Sequence, residues 1–376
     1  MNKFINQKDM KQTNAADVFG LIRKSGRITR RQLADKTQLS WGAVSTITAR
    51  LIEDGYIVEV KSEEGGVGRT PYYLEVDGSR RFSLGIDINS SGLRGVLVNL
   101  KNEEVASISD VADFSSRESL IEGICGFTEK ALEMAGERQV ICIGVAMQGI
   151  VDSGNGISLS LAGCRGWDDV PLAYILENKF SLPVHIEHDP NCILYAIQGT
   201  PRRDTALVRI DNGIGMAVML GGKIIDKPGI FELGHTVVDP EGRECTCGRR
   251  GCLELYATRG GIERLTGESF ASLAERAEGG DADARCHFSI MARHLAYAVS
   301  SIAHLLSLDS VVLCGDMCNK KELFFGEFVG YKKLYDPKDS FEVSFADVGN
   351  AALGAAMLAT RTALKRINTE KSKINE

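Results

Sequence analysis

Apolar positions follow a helical period at the start of the chain and strand-like runs afterwards. Asn14-Ala-Ala-Asp17 reads as a helix start with Asn14 as N-cap, followed by a stripe of Val18, Leu21 and Ile22. Ser25-Gly26 ends that helix. Thr29-Arg-Arg-Gln32 is a capping-box pattern that opens a second short helix with Leu33 and Ala34 facing inward. Thr37-Gln38-Leu39 makes a turn, and Ser40 caps a third helix from Trp41 to about Glu53 with Val44, Ile47 and Leu51 inward. The polar side of that helix is expected to carry Ser40, Trp41, Ser45, Thr46, Thr48 and Arg50. Ile57–Val60 and Tyr72–Val76 read as a hairpin around a Gly-rich stretch from Glu63 and Glu64 to Gly68-Arg69-Thr-Pro71.

From residue 80 the period changes. Phe82–Ile88, Leu93–Leu100 and Glu104–Ile108 read as strands, and a helix is expected over 118–134. Val140-Ile-Cys-Ile-Gly-Val-Ala146 is a continuous apolar run of the buried-strand type. Pro183–Glu187 is a shorter strand leading into a helix at Pro190–Gln198. The order then repeats with Ala206–Ile210, Gly215–Leu220 and Lys223–Ile225, and Ser310–Cys314 is a later buried strand. Long helices are expected over 258–278, 283–307 and 349–366. Strand, turn, strand and strand, repeated and mixed with helices, imply two α/β lobes with a ligand cleft between them.

Length and charge change this picture in two places. The chain has 376 residues, 44% hydrophobic and 25% charged, enough for two or three domains of ordinary globular composition. Residues 1–70 hold twelve lysines and arginines against eight aspartates and glutamates, so the head is net basic although the whole chain stands at −6. A basic head on an acidic body suits a polyanionic partner for the head alone. The opening residues are too polar for a signal peptide and no apolar run reaches membrane length, so the expected location is cytoplasmic. For a lone helix, the polar face of 41–53 would be no more than a solvated surface. Two short helices, a turn and a third helix followed by a hairpin instead match a winged helix-turn-helix. Its DNA-facing candidates are Thr29, Arg30, Ser40, Trp41, Ser45, Thr46 and Arg50, with Arg69 in the wing.

His235, Cys245, Cys247 and Cys252 fall within eighteen residues, with Gly242, Gly248 and Gly251 between them. One imidazole and three thiols are a four-ligand set for tetrahedral zinc in a structural role. The bland alternative is three buried thiols near an unrelated histidine, but core cysteines seldom cluster in a Gly/Arg loop. Cys245 and Cys252 could pair as a disulfide, yet nothing else suggests an oxidising compartment.

These features together resemble the ROK family of repressors and sugar kinases: the winged head, Glu187-x-Asp189-x-Asn191, Phe231-Glu232-Leu-Gly234-His235, and the Cys-x-Cys-Gly-x-x-Gly-Cys-x-Glu run ending at Glu254. The resemblance covers about residues 14–360, and the head places it with the family's transcriptional regulators. It implies an α/β actin-like (hexokinase-type) body of two lobes. It also implies that Asp189 matches the kinases' catalytic base, that Glu232, His235 and Glu254 contact sugar hydroxyls, and that His235 binds zinc as well. Several positions depart from the kinase pattern. Asp87-Ile-Asn89-Ser90-Ser91 replaces the glycines of the first phosphate loop, Asp211 begins the second, and Gly315-Asp316 stands for a Gly-Gly third. Two added carboxylates beside a triphosphate are expected to be repulsive and poorly compensated, which argues against kinase activity. His188, Gly163 and Gln148 alter the sugar side as well.

The expected protein is therefore a sugar-responsive transcriptional repressor. Its divisions are a winged head over 1–78, a first lobe over 79–200 and a second lobe with the zinc loop over 201–376. It has no catalytic residue beyond a vestigial Asp189, and ligand contacts at Asp189, His188, Glu232, His235 and Glu254. Its partners are operator DNA, a sugar or sugar-phosphate effector and a second copy of itself, as a dimer or a pair of dimers, with no membrane. The rivals are an ATP-dependent sugar kinase with a regulatory head, and a DNA-binding protein whose body answers to a partner protein.

Overall fold

The computed structural model describes residues 7–61, 72–90, 92–197, 203–346 and 350–370. The elements in order begin with α1 (Gln7–Ser25), α2 (Arg30–Thr37), α3 (Trp41–Glu53), β1 (Ile57–Lys61) and β2 (Tyr72–Val76). There follow β3 (Arg81–Asn89), β4 (Gly92–Asn99), β5 (Glu104–Asp110), α4 (Arg117–Glu133), β6 (Gln139–Met147), β7 (Ile150–Asp152), β8 (Ile157–Ser160) and β9 (Asp168–Val170). Then come α5 (Leu172–Phe180), β10 (Val184–His188), α6 (Asp189–Ile197), β11 (Thr205–Ile210), β12 (Ile214–Leu220) and β13 (Lys223–Ile224). The remainder is α7 (Leu253–Ala257), α8 (Arg259–Thr266), α9 (Phe270–Glu278), α10 (Ala282–Leu306), β14 (Ser310–Cys314), α11 (Phe325–Tyr335), β15 (Glu342–Phe345) and α12 (Asn350–Glu370), with 3-10 turns at Leu233–His235 and Asp316–Leu323.

Two compact units result, Met1–Asp189 with Ala352–Glu376, and Pro190–Ala351. The last helix thus belongs with the first unit although it follows the second in sequence, an assignment that a linear division at residues 200 and 201 does not contain.

The head forms as its caps dictate. Thr29 and Gln32 complete the capping box of α2, and Ser40 Oγ accepts the Ala43 N–H at 3.2 Å to start α3. Asn14 is not a cap, because α1 already runs from Gln7 and Asn14 lies in its interior. Val18, Phe19, Ile22, Leu33, Val44, Leu51, Ile57 and Leu74 close one core beneath the three helices and the β1–β2 hairpin. Thr48 is a further correction. It stands at i+4 from Val44 and i−3 from Leu51, on the buried stripe, and is fully enclosed. Its hydroxyl donates to Ser45 O at 3.2 Å and accepts from Arg30 Nε at 2.8 Å. Two residues from distant parts of the chain, Leu100 and Leu364, also enter this core, so α12 contributes to the head.

The rest of the first unit is built on a sheet of order β10-β6-β3-β4-β5, in which β3, β4 and β5 are antiparallel and β3, β6 and β10 parallel. α12 lies against this sheet with no side chain between: a Cβ at Gly85 would stand 1.9 Å from Ala352 O, and one at Gly144 would stand 2.0 Å from Ala355 O. The second unit repeats the scaffold as β13-β12-β11-β14-β15, again three antiparallel strands followed by two parallel ones. Its core is filled by large side chains, including Phe288 of α10, Phe324, and Phe328 of α11. The helix expected over 258–278 is two helices, because Gly267 at φ +72 caps α8. The β7–β8–β9 sheet, α5, α7, α11 and β15 have no counterpart in the sequence-based expectation. Among the described residues no helix is long and apolar enough to cross a membrane.

Candidate functional site

The metal candidates come together in the second unit. His235 ends a 3-10 turn, and the chain returns through a tight loop to Cys252. That loop is held by backbone bonds: Cys245 N–H to Arg249 O at 2.7 Å, Gly248 N–H to Cys245 O at 2.9 Å, and Gly251 N–H to Arg243 O at 2.9 Å. Leu253 N–H to Thr236 O at 2.9 Å closes its base. Gly251 takes φ +65, and a Cβ there would lie 1.5 Å from Asp239 O, so no other residue fits. Tyr256 OH pins the loop by donating to Asp239 Oδ2 at 2.8 Å, a support that the cysteine spacing does not announce.

The four ligand atoms lie within 4.8 Å of one another. Cys247 Sγ and Cys252 Sγ are 3.6 Å apart, and Cys245 Sγ and His235 Nδ1 are 3.8 Å apart. Zinc with bonds of about 2.3 Å to sulfur and 2.0 Å to nitrogen sets tetrahedral edges of roughly 3.8 and 3.5 Å. The residues present therefore fit such an ion. The Arg249 backbone N–H beside it holds the Cys247 thiol below its usual range, while burial, reinforced by the Cys247 and Cys245 sulfurs, pushes Cys252 up to about 12. Three sulfurs this close become thiolates together only around a cation. The cysteines are all free thiols, so Cys245 and Cys252 are not bridged.

Glu232 and Glu254 share this neighbourhood with His235. Glu232 is exposed and precedes the 3-10 turn, and its carbonyl accepts the His235 N–H at 3.1 Å. Glu254 opens α7, and its Oε2 would stand 3.2 Å from a Cβ at either Gly213 or Gly234. A Cβ at either position would crowd that carboxylate and oblige it to shift. Asp189 and His188 belong to the first unit, at the end of β10 and the start of α6. Asp189 is buried, with His188 Nε2 at 3.6 Å from its Oδ1, while Glu187 Oε1 accepts the His188 N–H at 2.8 Å.

The turns expected to repel phosphate are not uncompensated. Arg209 Nε donates to Asp211 Oδ2 at 2.6 Å, and Arg259 Nη2 donates to Asp316 Oδ2 at 2.7 Å. Both carboxylates have a guanidinium of the same unit as a partner. In the first unit Asn89 Nδ2 donates to Asp87 Oδ2 at 2.8 Å, and the Ser90 N–H donates to Gln148 Oε1 at 3.1 Å.

On the head, Trp41 is 59% exposed at the start of α3, next to exposed Ser40 and Thr46 and half-buried Ser45. Thr46 Oγ1 donates back to Gly42 O at 2.9 Å. Thr29 is the N-cap of α2. Arg30 is held by Thr48 and Glu59, and Arg50 stands 3.6 Å from Asp54. Arg69 lies outside the described residues, as does the rest of the expected wing tip.

The ROK family model matches residues 83–362 and a winged helix-turn-helix DNA-binding model matches residues 17–58. The chain belongs to the ROK family. Among ROK relatives, it is 26% identical over 335 residues to the DNA-binding transcriptional dual regulator NagC of Escherichia coli K12, covering 82% of this chain and 81% of that one. It is 30% identical over 270 residues to the E. coli K12 DNA-binding transcriptional repressor Mlc, covering 68% and 65%. It is also 28% identical over 262 residues to the xylose repressor of Caldicellulosiruptor bescii, covering 67% and 65%. A crystal structure described as a ROK family transcriptional regulator, homolog of the E. coli MLC protein, superposes with a TM-score of 0.83 at 22% identity, over 95% of this chain and 97% of its own. A ROK glucokinase from Streptomyces griseus superposes at 0.64 and 21%, over 74% of this chain and 99% of its own. The actin-like ROK body behind a winged head is the fold of this chain.

Proposed function

We propose that this chain is a sugar-responsive transcriptional regulator, a repressor of carbohydrate-metabolism genes, and not an enzyme. The observation that carries the reading is the winged head fused to a ROK body, combined with relatives named as repressors across most of the chain. The head reads operator DNA as a homodimer or a pair of dimers, because helix-turn-helix proteins engage paired half-sites about one helical turn apart. α3 enters the major groove through Ser40, Trp41, Ser45 and Thr46. Arg30, Arg50 and the wing's Arg69 reach phosphates, with Thr29 at the start of α2 alongside. The half-buried Arg50–Asp54 contact, at 3.6 Å, is longer than a hydrogen bond, so a phosphate can compete with that carboxylate.

Asp189, His188, Glu232, His235 and Glu254 are the residues assigned to the sugar or sugar-phosphate effector, as carboxylate acceptors and imidazole partners for hydroxyls. Asp189 binds in this reading and transfers no proton to chemistry. His235, Cys245, Cys247 and Cys252 hold a structural zinc, which supplies a fixed geometry for the loop carrying His235 and leads directly into Glu254. All four positions come from the protein, so none is left for a reacting water. An effector acts only by binding the DNA-competent and DNA-released states with different affinity.

The test is a gel shift with the full-length protein and the DNA upstream of its own gene, with and without a panel of sugars and sugar phosphates. A shift abolished by one sugar is the expected result. The absence of any shift on nearby DNA, together with ADP release in the presence of a hexose and ATP, would overturn the reading in favour of a kinase.

A further inference from the structure

Arg30 is the first residue of α2, and partners from two other elements of the head hold its guanidinium. Nε donates to Thr48 Oγ1 of α3 at 2.8 Å, and Nη1 donates to Glu59 Oε1 of β1. Nη2 has no partner among the described residues. The two partners differ in kind. Thr48 is fully enclosed on the buried stripe of α3, and its hydroxyl proton is engaged by Ser45 O at 3.2 Å, so towards Arg30 it acts only as an acceptor. Glu59 is a solvated carboxylate on the hairpin, with its side chain 38% exposed against 22% for that of Arg30. Water and salt screen the exposed pair, and another anion can take the carboxylate's place. The enclosed hydroxyl is not open to that competition.

We propose that Thr48 is a positioning residue for DNA binding: it touches no DNA, and it holds the Arg30 guanidinium where a backbone phosphate can replace Glu59. An arginine already fixed at Nε has less side-chain freedom to lose when it grips a phosphate. The hydroxyl that fixes it also bonds the Ser45 carbonyl, so the guanidinium is tied to the turn of α3 that carries Ser45. Off DNA, Glu59 keeps this half-buried charge from standing unpaired. The inference rests on the DNA-binding reading of the head and adds to it the residue that aims one phosphate contact.

The test is an anisotropy titration of the full-length protein with a labelled random-sequence duplex over about 50 to 200 mM salt, since phosphate contacts need no operator. Thr48→Val keeps the shape on an apolar stripe and removes the acceptor. It is expected to weaken binding by the same factor as Arg30→Ala. It should also flatten the slope of log K against log salt by about 0.9, the loss of one phosphate contact. Because both changes act through one guanidinium, the double variant should bind no more weakly than either alone. Thr48→Ser restores the hydroxyl and should restore the wild-type slope. Glu59→Gln should tighten binding, and should do so less once Arg30 is alanine. A Thr48→Val that melts lower yet keeps the slope overturns the proposal, as do losses that add in the double variant. Should Thr48→Val fail to fold, Thr48→Ala, which also lacks the acceptor, takes its place with the same expected and overturning outcomes. Absence of wild-type binding at the lowest salt would remove the DNA-binding reading and this inference with it. Wild-type binding that Thr48→Val leaves unchanged removes the inference alone.

Discussion

The two five-stranded sheets share strand order and polarity, and both pack against large side chains, yet only the first also shows a helix backbone seated on its glycines among the described residues. In the first unit the helix backbone of α12 rests directly on Gly85 and Gly144. In the second, Phe288 of α10, Phe328 of α11 and Phe324 just before α11 pack in one core with the strands' apolar side chains. A side-chain layer can repack when one member changes volume, whereas a backbone seated on a glycine has nothing to move. A repeated scaffold therefore leaves its two copies with different tolerance, and the intolerant copy is the one that also carries the head.

Gly144→Val is the harshest way to test that contrast. It is expected to cost more than about 4 kcal/mol, the range of severe core disruptions, and to abolish the folded protein in circular dichroism. Phe328→Leu, its counterpart in the second unit, should cost only about 1–2 kcal/mol in a denaturant titration. Equal losses would remove the distinction between the two packings. Next in size, Cys247→Ser or a strong chelator should strip bound zinc, lower the melting temperature and weaken operator binding together. Metal analysis and melting on the same sample check this, and a metal-free variant of unchanged stability would end the structural-zinc reading.

Much of this was open to reading in the chain. The three cysteines and His235 converge because the loop between them is short and Gly-rich, and Ser40 and Thr29 cap as their spacing implies. The repeated antiparallel meander was legible from apolar runs alone. Short elements such as α7 and β15 were not, since five or four residues hold too little periodicity to register. The hydroxyl of Thr48 suggests a surface position, but its offset from Val44 and Leu51 puts it on the buried stripe. Asp211 has a charge partner that the loop motif does not announce. Its partner Arg209 is two residues away on a strand end, where period two brings side chains to one side.

A smaller effect separates the head from the body. Trp41→Ala should leave stability within about 0.5 kcal/mol, because the ring is largely solvated, and yet weaken operator binding about tenfold in a fluorescence anisotropy titration. Unchanged affinity would take Trp41 out of the DNA interface. The mildest test concerns His294, buried on α10 with its ring 4.6 Å from that of Tyr256. Burial first, then the Arg293 charge, holds its imidazole below the ordinary 6.5. The unfolded chain therefore takes up this proton before the folded one does, and stability contributed by the neutral ring is lost as pH falls below that value. Melting curves between neutral and mildly acidic pH should show a shallower acid-side decline in His294→Gln than in the wild type, and parallel curves would remove His294 as the cause.

Leu364 gives the order of synthesis a structural meaning. A ribosome makes the three head helices before both five-stranded sheets and α12 after them, so the head's core lacks one of its packing residues until the chain between has been made. A chain cut short before that leucine would carry the three head helices on an unfinished core. The head is thus first in order of synthesis among the described elements and late in the closing of its core.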